Sequence, residues 1–166
     1  SRLVPEKGLM YLINSFKNVN TKHKLVIAGG SSDTDEYTAE VKKAAMNDSR
    51  ICFIGFVQGD ILQELYSNAY VYVLPSDVEG MPLSLLEAMS YGNCCLVSDI
   101  KEITEVVGNR AVIFQKGNVT MLTEKLQYLC DSEKEVNRYK LQAADFICEK
   151  YNWDFVVNET LSVYLK

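Results

Sequence analysis

Proline and glycine are scarce, three and nine of 166 residues, too few for a linker, a fibrous repeat or a low-complexity chain. No run of about 18 apolar residues occurs, so the sequence predicts no bilayer-spanning helix. No basic region followed by a cleavage site opens the chain, and no secretory signal is expected. Histidine occurs once, as His23 in a Thr-Lys-His-Lys turn, where a solvated side chain is expected, so the chain offers no histidine general base. Basic residues are outnumbered, 17 Lys+Arg against 22 Asp+Glu for a net charge of −5, which argues against nucleic acid as a partner. A small phosphorylated ligand held at one basic point stays compatible with that balance. The five cysteines form no C-x-x-C and no Cys/His cluster, which excludes a disulfide framework and a zinc site. Reduced, mostly buried thiols in a cytoplasmic protein are expected. What the chain does have is a 48% apolar composition, enough at this length for one domain with a sizeable core.

Short apolar runs alternate with segments of helical period. The runs are Leu3-Val4, Leu25 to Ala28, Ile51 to Ile54, Val71 to Leu74, Cys94 to Val97 and Ala111 to Phe114. They are nearly continuous in apolar residues, as strands buried on both faces are. Helical patterns cover Glu6 to Val19, Asp35 to Asn47, Asp60 to Ser67, Leu83 to Tyr91, Thr120 to Cys130, Glu133 to Lys150 and Tyr151 to Lys166. Strand and helix in this alternation predict an α/β fold, a Rossmann-like parallel sheet sandwiched by helices. Ligands of such sheets bind at the carboxyl ends of the strands. The first strand is short against the usual ~5–6 residues, and the chain reads as one domain cut from a longer protein.

Known phosphate and redox signatures fail. No G-x-G-x-x-G follows a strand, Gly29-Gly30 being half of one, and no G-x-x-x-x-G-K-[ST] occurs. Asp33-Thr34-Asp35 mimics a metal-holding D-x-D but opens a helical segment, where aspartate caps orphan N–H groups. No metal site is assigned.

The informative segment runs from Pro75 to Gly92. A buried strand ends at Pro75, a loop carries Glu79 and Gly80, and Pro82 takes the first helical position, where a missing N–H costs nothing. The N–H groups of Gly80, Met81 and Leu83 are then expected to be free at the positive helix end, a ready anion site. Glu87 lies one and a half turns into a helix otherwise apolar nearly all round, which predicts burial and a partner for its carboxylate. Glu79 would share the same side of the crevice. Pattern alone leaves open the alternative of a surface Glu87 and a solvated Glu79. Arg2 and Lys7 flank the turn before Gly8. Placed at a strand's carboxyl end, two cations beside backbone donors can neutralise a diphosphate without a metal, although two solvated charges fit the pattern equally.

Arg2-Leu-Val-Pro-Glu-Lys7-Gly8, Leu25 to Gly30, Ile54-Gly-Phe-Val57 and Glu79-Gly-Met-Pro-Leu-Ser-Leu-Leu-Glu87-Ala-Met-Ser-Tyr-Gly92 closely resemble the C-terminal domain of family 4 (group 1) retaining glycosyltransferases. Ser98-Asp-Ile, Glu102, Glu105-Val-Val and the Tyr151-Asn-Trp153 helix resemble later segments of that family, so the likeness spans the chain in order. It implies one half of a GT-B fold, holding a nucleotide-diphosphate sugar as substrate, with no cofactor and no metal. By position Arg2 and Lys7 would bind the diphosphate, Glu79 the donor sugar and Glu87 the ribose. Phe56 and Val57 would meet the base through their backbone, and Gly80, Met81 and Leu83 the phosphates and sugar. The acceptor, a sugar or a lipid-linked one, would be bound through an N-terminal domain outside residues 1–166, and the isolated chain is expected to catalyse nothing. The resemblance further implies polysaccharide, capsule or glycolipid biosynthesis in the cytoplasm, with peripheral association at the inner face of the membrane. A non-catalytic nucleotide-sugar-binding module and a nucleotide-sugar epimerase fragment are the alternatives; the latter needs a carboxylate and histidine set that the chain lacks. The segment Ser98 to Ile103 departs from the family's Gly- or Pro-containing loop.

Overall fold

The computed structural model describes residues 1–30 and 35–165. Five strands, β1 (Leu25–Ala28), β2 (Ile51–Gly55), β3 (Tyr72–Leu74), β4 (Cys95–Ser98) and β5 (Val112–Phe114), alternate with helices α1 (Leu9–Phe16), α2 (Asp35–Ala45), α3 (Gly59–Asn68), α4 (Leu83–Ser90), α5 (Lys101–Val107) and α6 (Val119–Asp131). Two further helices, α7 (Glu133–Lys150) and α8 (Trp153–Tyr164), close the chain. All observed strand pairings are parallel, as the expected α/β class requires. They form two ladders: β1 with β2, Leu25 opposite Ile51, and β4 between β3 and β5, Leu96 opposite both Val73 and Val112.

The core follows the strand period of two. Cys95 and Val97 of β4 pack on one face among Leu85, Met89, Ile103, Val107 and Ile147 of α4, α5 and α7. Cys94 and Leu96 point to the other face, toward Leu12 of α1 and Leu122, Leu126 and Leu129 of α6. A third cluster joins Leu3, Leu9, Ile13, Ile27 and Val41. Burial on both faces holds for β4, all four of whose residues are buried, but β1, β2 and β3 are only part-buried. Among the described residues β1 and β3 each pair with just one other strand.

Several local expectations need correction. Leu3-Val4 is extended chain rather than a strand, although Leu3 N–H donates to Gly30 O at 3.0 Å. The helix expected over Glu6 to Val19 divides into a 3₁₀ turn, Pro5–Lys7, and α1, because Gly8 between them is left-handed at φ 65°. α5 is an addition, with Ile103, Val106 and Val107 buried. Only Cys94 and Cys95 are buried; Cys52 and Cys130 are half-buried and Cys148 is exposed. Burial pushes the Cys94 thiol up to about 12 and Cys95 well above the ordinary range, so neither is a ready nucleophile. The His23 ring is exposed but stacks on Tyr70 at 4.2 Å. Residues 31–34 of the segment holding Asp33-Thr34-Asp35 lie outside the described residues.

Arg50 is an anchor with no sequence signal. Its guanidinium bonds Asp48 at 2.6 Å and donates to the carbonyls of Val19 at 2.7 Å and Phe16 at 3.3 Å, while lying over the Phe16 ring. It therefore closes orphan carbonyls at the end of α1. The hydrogen bond from Arg50 holds the Asp48 carboxyl down at about 2 against an ordinary 3.8. A depressed folded-state value means the stabilisation is complete above the unfolded value and is lost as pH falls from about 4 through about 2. Asp48→Asn is therefore expected to lower stability at pH 6, and urea unfolding should show the gap to wild type closing between pH 4 and pH 2.

Candidate functional site

Three loops converge at the carboxyl ends of the strands. Gly8 brings the first two together: a Cβ there would meet Pro75 O at 2.0 Å, so only glycine permits the backbone approach. Asp77 N–H donates to Glu6 O at 2.7 Å, and Tyr11 OH donates to the Asp77 carboxylate. Burial, reinforced by that carboxylate, pushes the Tyr11 hydroxyl well above its ordinary value and keeps it a donor. The third tie is Ser98 Oγ at the end of β4, which donates to Ser76 O at 2.6 Å.

This joinery sets the charged pair. Lys7 Nζ lies 2.6 Å from Glu79 Oε1, and Ser76 Oγ donates to the same oxygen at 2.7 Å. Two of the expected site residues, 72 positions apart, are thus one unit, with Glu79 only 8% and Lys7 20% exposed. Glu79 Oε2 takes no hydrogen bond among the described residues and remains an open acceptor. Arg2 is exposed immediately before Leu3, whose N–H holds Gly30. Phe56 follows left-handed Gly55 at the end of β2 and is 74% exposed, its Cβ 3.7 Å from where a Gly30 Cβ would stand. Val57 beside it is half-buried.

The start of α4 departs from the expected donor set. Pro82 is the N-cap rather than the first helical residue, and Leu83 N–H is already spent on Met81 O at 2.9 Å. Among the described residues, the N–H groups left without an acceptor are those of Gly80, Met81 and Ser84. Nor is α4 buried all round: Leu85, Ala88 and Met89 are buried, whereas Leu83, Glu87 and Ser90 are exposed. Glu87 therefore lies on the open face, and its Oε2 accepts from Tyr66 OH at 2.9 Å. The burial expected of Glu87 is corrected; the expected partner exists. Tyr66, buried in α3, stacks against Tyr91 at 5.5 Å, and burial, with Tyr72 and Glu87 adding to it, pushes its hydroxyl far up and keeps it protonated.

Sequence reasoning missed Ser76 and Tyr66. A buried tyrosine must find a hydroxyl partner, but nothing in the chain named Glu87 as that partner. No group of three His, Cys, Asp or Glu converges among the described residues in a way that could hold a metal ion. Two cations and three free backbone N–H groups at a helix start suit an anion, while two carboxylates stand beside them as hydroxyl acceptors.

The model of a known family, the glycosyl transferases group 1, matches residues 1–146. This chain belongs to that family. As a group 1 glycosyltransferase domain it is 33% identical to an uncharacterized glycosyltransferase of Methanocaldococcus jannaschii, over 98% of this chain and 43% of the relative. It is 29% identical to the N,N'-diacetylbacillosaminyl-diphospho-undecaprenol alpha-1,3-N-acetylgalactosaminyltransferase of Campylobacter jejuni, over 99% of this chain and 43% of that enzyme. The chain thus spans less than half the length of these curated relatives. Among solved structures, Anabaena HepE in complex with UDP and glucose superimposes with a TM-score of 0.90 at 18% identity, covering 98% of this chain and 47% of that one. That likeness establishes the group 1 domain as one Rossmann-like half of a GT-B fold.

Proposed function

We propose that residues 1–166 are the C-terminal, donor-binding half of a family 4 retaining glycosyltransferase that moves a sugar from a nucleotide-diphosphate sugar to an acceptor. The observation carrying this reading is the Lys7–Glu79–Ser76 unit, set beside exposed Arg2 and the unbonded N–H groups of Gly80 and Met81. Lys7 and Arg2 take the diphosphate, with the positive end of α4 adding to them. Glu79 accepts from hydroxyls of the donor sugar through its open Oε2. Glu87, oriented by Tyr66, accepts from the ribose, and the backbone at Phe56 and Val57 faces the base. Leu83, whose N–H is spent on Met81 O, drops out of the donor set first expected.

In the reaction the bond between the anomeric carbon and the diphosphate oxygen breaks, and the bond to the acceptor oxygen forms with configuration retained. This domain's share is to stabilise negative charge growing on the leaving diphosphate. The cations and helix end need no metal for that. The acceptor, a sugar or lipid-linked one, is bound by an N-terminal domain. Polysaccharide or glycolipid synthesis is favoured by relatives such as the Campylobacter enzyme and an Escherichia coli O-antigen chain mannosyltransferase. Work at the inner face of the membrane goes with that role, and no helix among the described residues is long and apolar enough to cross it.

The test is calorimetric titration of the full-length protein with UDP-glucose and related sugar nucleotides, with chelator present. Arg2→Ala, Glu87→Gln and Tyr66→Phe are each expected to weaken binding about 10- to 150-fold, since hydrogen bonds to charged groups contribute ~1.5–3 kcal/mol. Unchanged affinity in both the Arg2 and Glu87 variants rejects the assignment of the site.

A further inference from the structure

Two tyrosines stand behind α4, Tyr66 from α3 and Tyr72 from β3, their rings 6.0 Å apart. Tyr66 OH donates to Glu87 Oε2 at 2.9 Å and lies 3.4 Å from Ser84 O. Tyr72 OH donates to Ser84 Oγ at 2.8 Å. The Tyr72 ring packs on the cluster around Leu85 and Met89, and burial of its hydroxyl pushes it far above the ordinary value. It therefore keeps its proton. Tyr66 serves Glu87, whereas the Tyr72–Ser84 pair has no part in the site described above.

Two hydroxyls that share one hydrogen bond have one proton left over. Among the described residues neither oxygen has a second partner. Were Ser84 the donor, the spare proton would sit on Tyr72, behind α4, and an unspent buried donor is costly. With Tyr72 as the donor, the spare proton sits on Ser84, a half-buried residue in the first turn of α4. Ser84 is thus an acceptor toward the interior and a donor toward the open helix start. Its N–H is also without an acceptor, like those of Gly80 and Met81. Glu87 follows three residues later on the same face of α4, about 4.5 Å further along the axis. A ligand whose hydroxyls meet Glu87 would therefore bring a neighbouring anionic group over Ser84, at the positive end of the helix.

We propose that the Ser84 hydroxyl is a further donor to the diphosphate, and that Tyr72 is the positioning residue that turns its proton outward. The inference rests on the sugar-nucleotide reading and adds an order along α4 to it. The diphosphate lies over Ser84 and the ribose over Glu87, each of the two side chains held from behind by its own tyrosine. Tyr72 touches no substrate and acts only through Ser84. A hydroxyl already fixed by a buried partner gives up little rotational freedom on meeting a phosphate, so the pair is preorganised for an anion.

Calorimetric titration of the full-length protein with UDP, GDP and ADP, which carry the same diphosphate, tests it. Ser84→Ala alone strands the Tyr72 hydroxyl, so the deciding variant is Ser84→Ala/Tyr72→Phe, in which both hydroxyls are gone. Replacing both partners is close to neutral for folding, and the melting temperature without nucleotide should stay within about 2 °C of wild type. Binding of whichever diphosphate the wild type takes should weaken about 10-fold, the worth of one hydrogen bond to a charged group. Ser84→Thr keeps the hydroxyl and should retain binding. Tyr72→Phe alone frees the serine to turn and should lose part of the affinity, with no further loss when it is added to Ser84→Ala. Wild-type affinity in the double variant, while Arg2→Ala weakens binding, overturns this proposal and leaves the sugar-nucleotide reading standing. A loss in Ser84→Thr as large as in the double variant overturns it as well. Where the double variant fails to fold, unchanged affinity in Tyr72→Phe overturns the positioning role. A wild type that binds none of the three nucleotides, or affinity unmoved in Arg2→Ala and Glu87→Gln too, overturns the reading beneath it.

Discussion

In the full-length protein, Lys7→Met is expected to lower kcat/KM for sugar transfer by about 10²–10³-fold, the loss that follows removal of one preorganised donor to a developing oxyanion. The methionine keeps an unbranched apolar stem and removes the ammonium, both its charge and its hydrogen bond to Glu79. Two effects coincide in it. On the proposed assignment the leaving diphosphate loses one of its two cations, and Glu79, 8% exposed, is left with the Ser76 hydroxyl alone. The second effect costs about 1–3 kcal/mol of stability; Glu79→Gln in the same protein relieves it by removing the stranded charge. The double variant Lys7→Met/Glu79→Gln should therefore recover its melting temperature without recovering turnover, which separates a structural ion pair from a functional one. Steady-state kinetics with a thermal melt of each variant measures both. Turnover of the Lys7 variant within threefold of wild type would exclude Lys7 from the chemistry.

The second large effect belongs to Gly8→Ala. A left-handed φ of 65° costs a residue with a Cβ roughly 1–2 kcal/mol, and the added atom would stand 2.0 Å from Pro75 O and 2.5 Å from the Tyr11 ring. Backbone cannot yield as a flexible side chain can, so overpacking adds about 1–3 kcal/mol. Together these predict a loss of about 2–5 kcal/mol, and at roughly 2–4 °C per kcal/mol for a protein of this size a melting point lower by about 5–20 °C. Because Gly8 holds the Lys7 loop against the Glu79 loop, donor binding should fall as well. Calorimetric melting of wild type and variant checks this, and a shift under 2 °C would show that the two loops are not in contact at Gly8.

The fold was legible where burial is symmetrical. Cys94 to Val97 reads as a strand buried on both faces because it is apolar throughout, and β4 occupies nearly those residues. The long Glu133–Lys150 helix matches its periodic segment to the residue. α5 escaped because Lys101 to Val107 is only two turns, rich in β-branched residues that favour strands. The break at Gly8 escaped because Glu6 to Val19 keeps helical period straight through it, and only the approach of Pro75 from 67 residues away demands the left-handed turn. At the site, the residue types were readable and their pairing was not. Glu79 and Lys7 carry no local mark of each other, and the apolar neighbours of Glu87 suggested a burial that the open side of α4 denies. Tyr66, which holds Glu87, looks in the sequence like any core tyrosine.

The match of Lys7 to Glu79 has a consequence for what the domain can attract. An ammonium already neutralised by a carboxylate exerts little pull on a passing anion. A bare inorganic polyphosphate that drew Lys7 away would strand Glu79 against a single hydroxyl. On the assignment proposed above, a molecule bearing phosphate and sugar together would bring the replacement donors for Glu79 with it, and the resting charge balance would discriminate against simple polyanions.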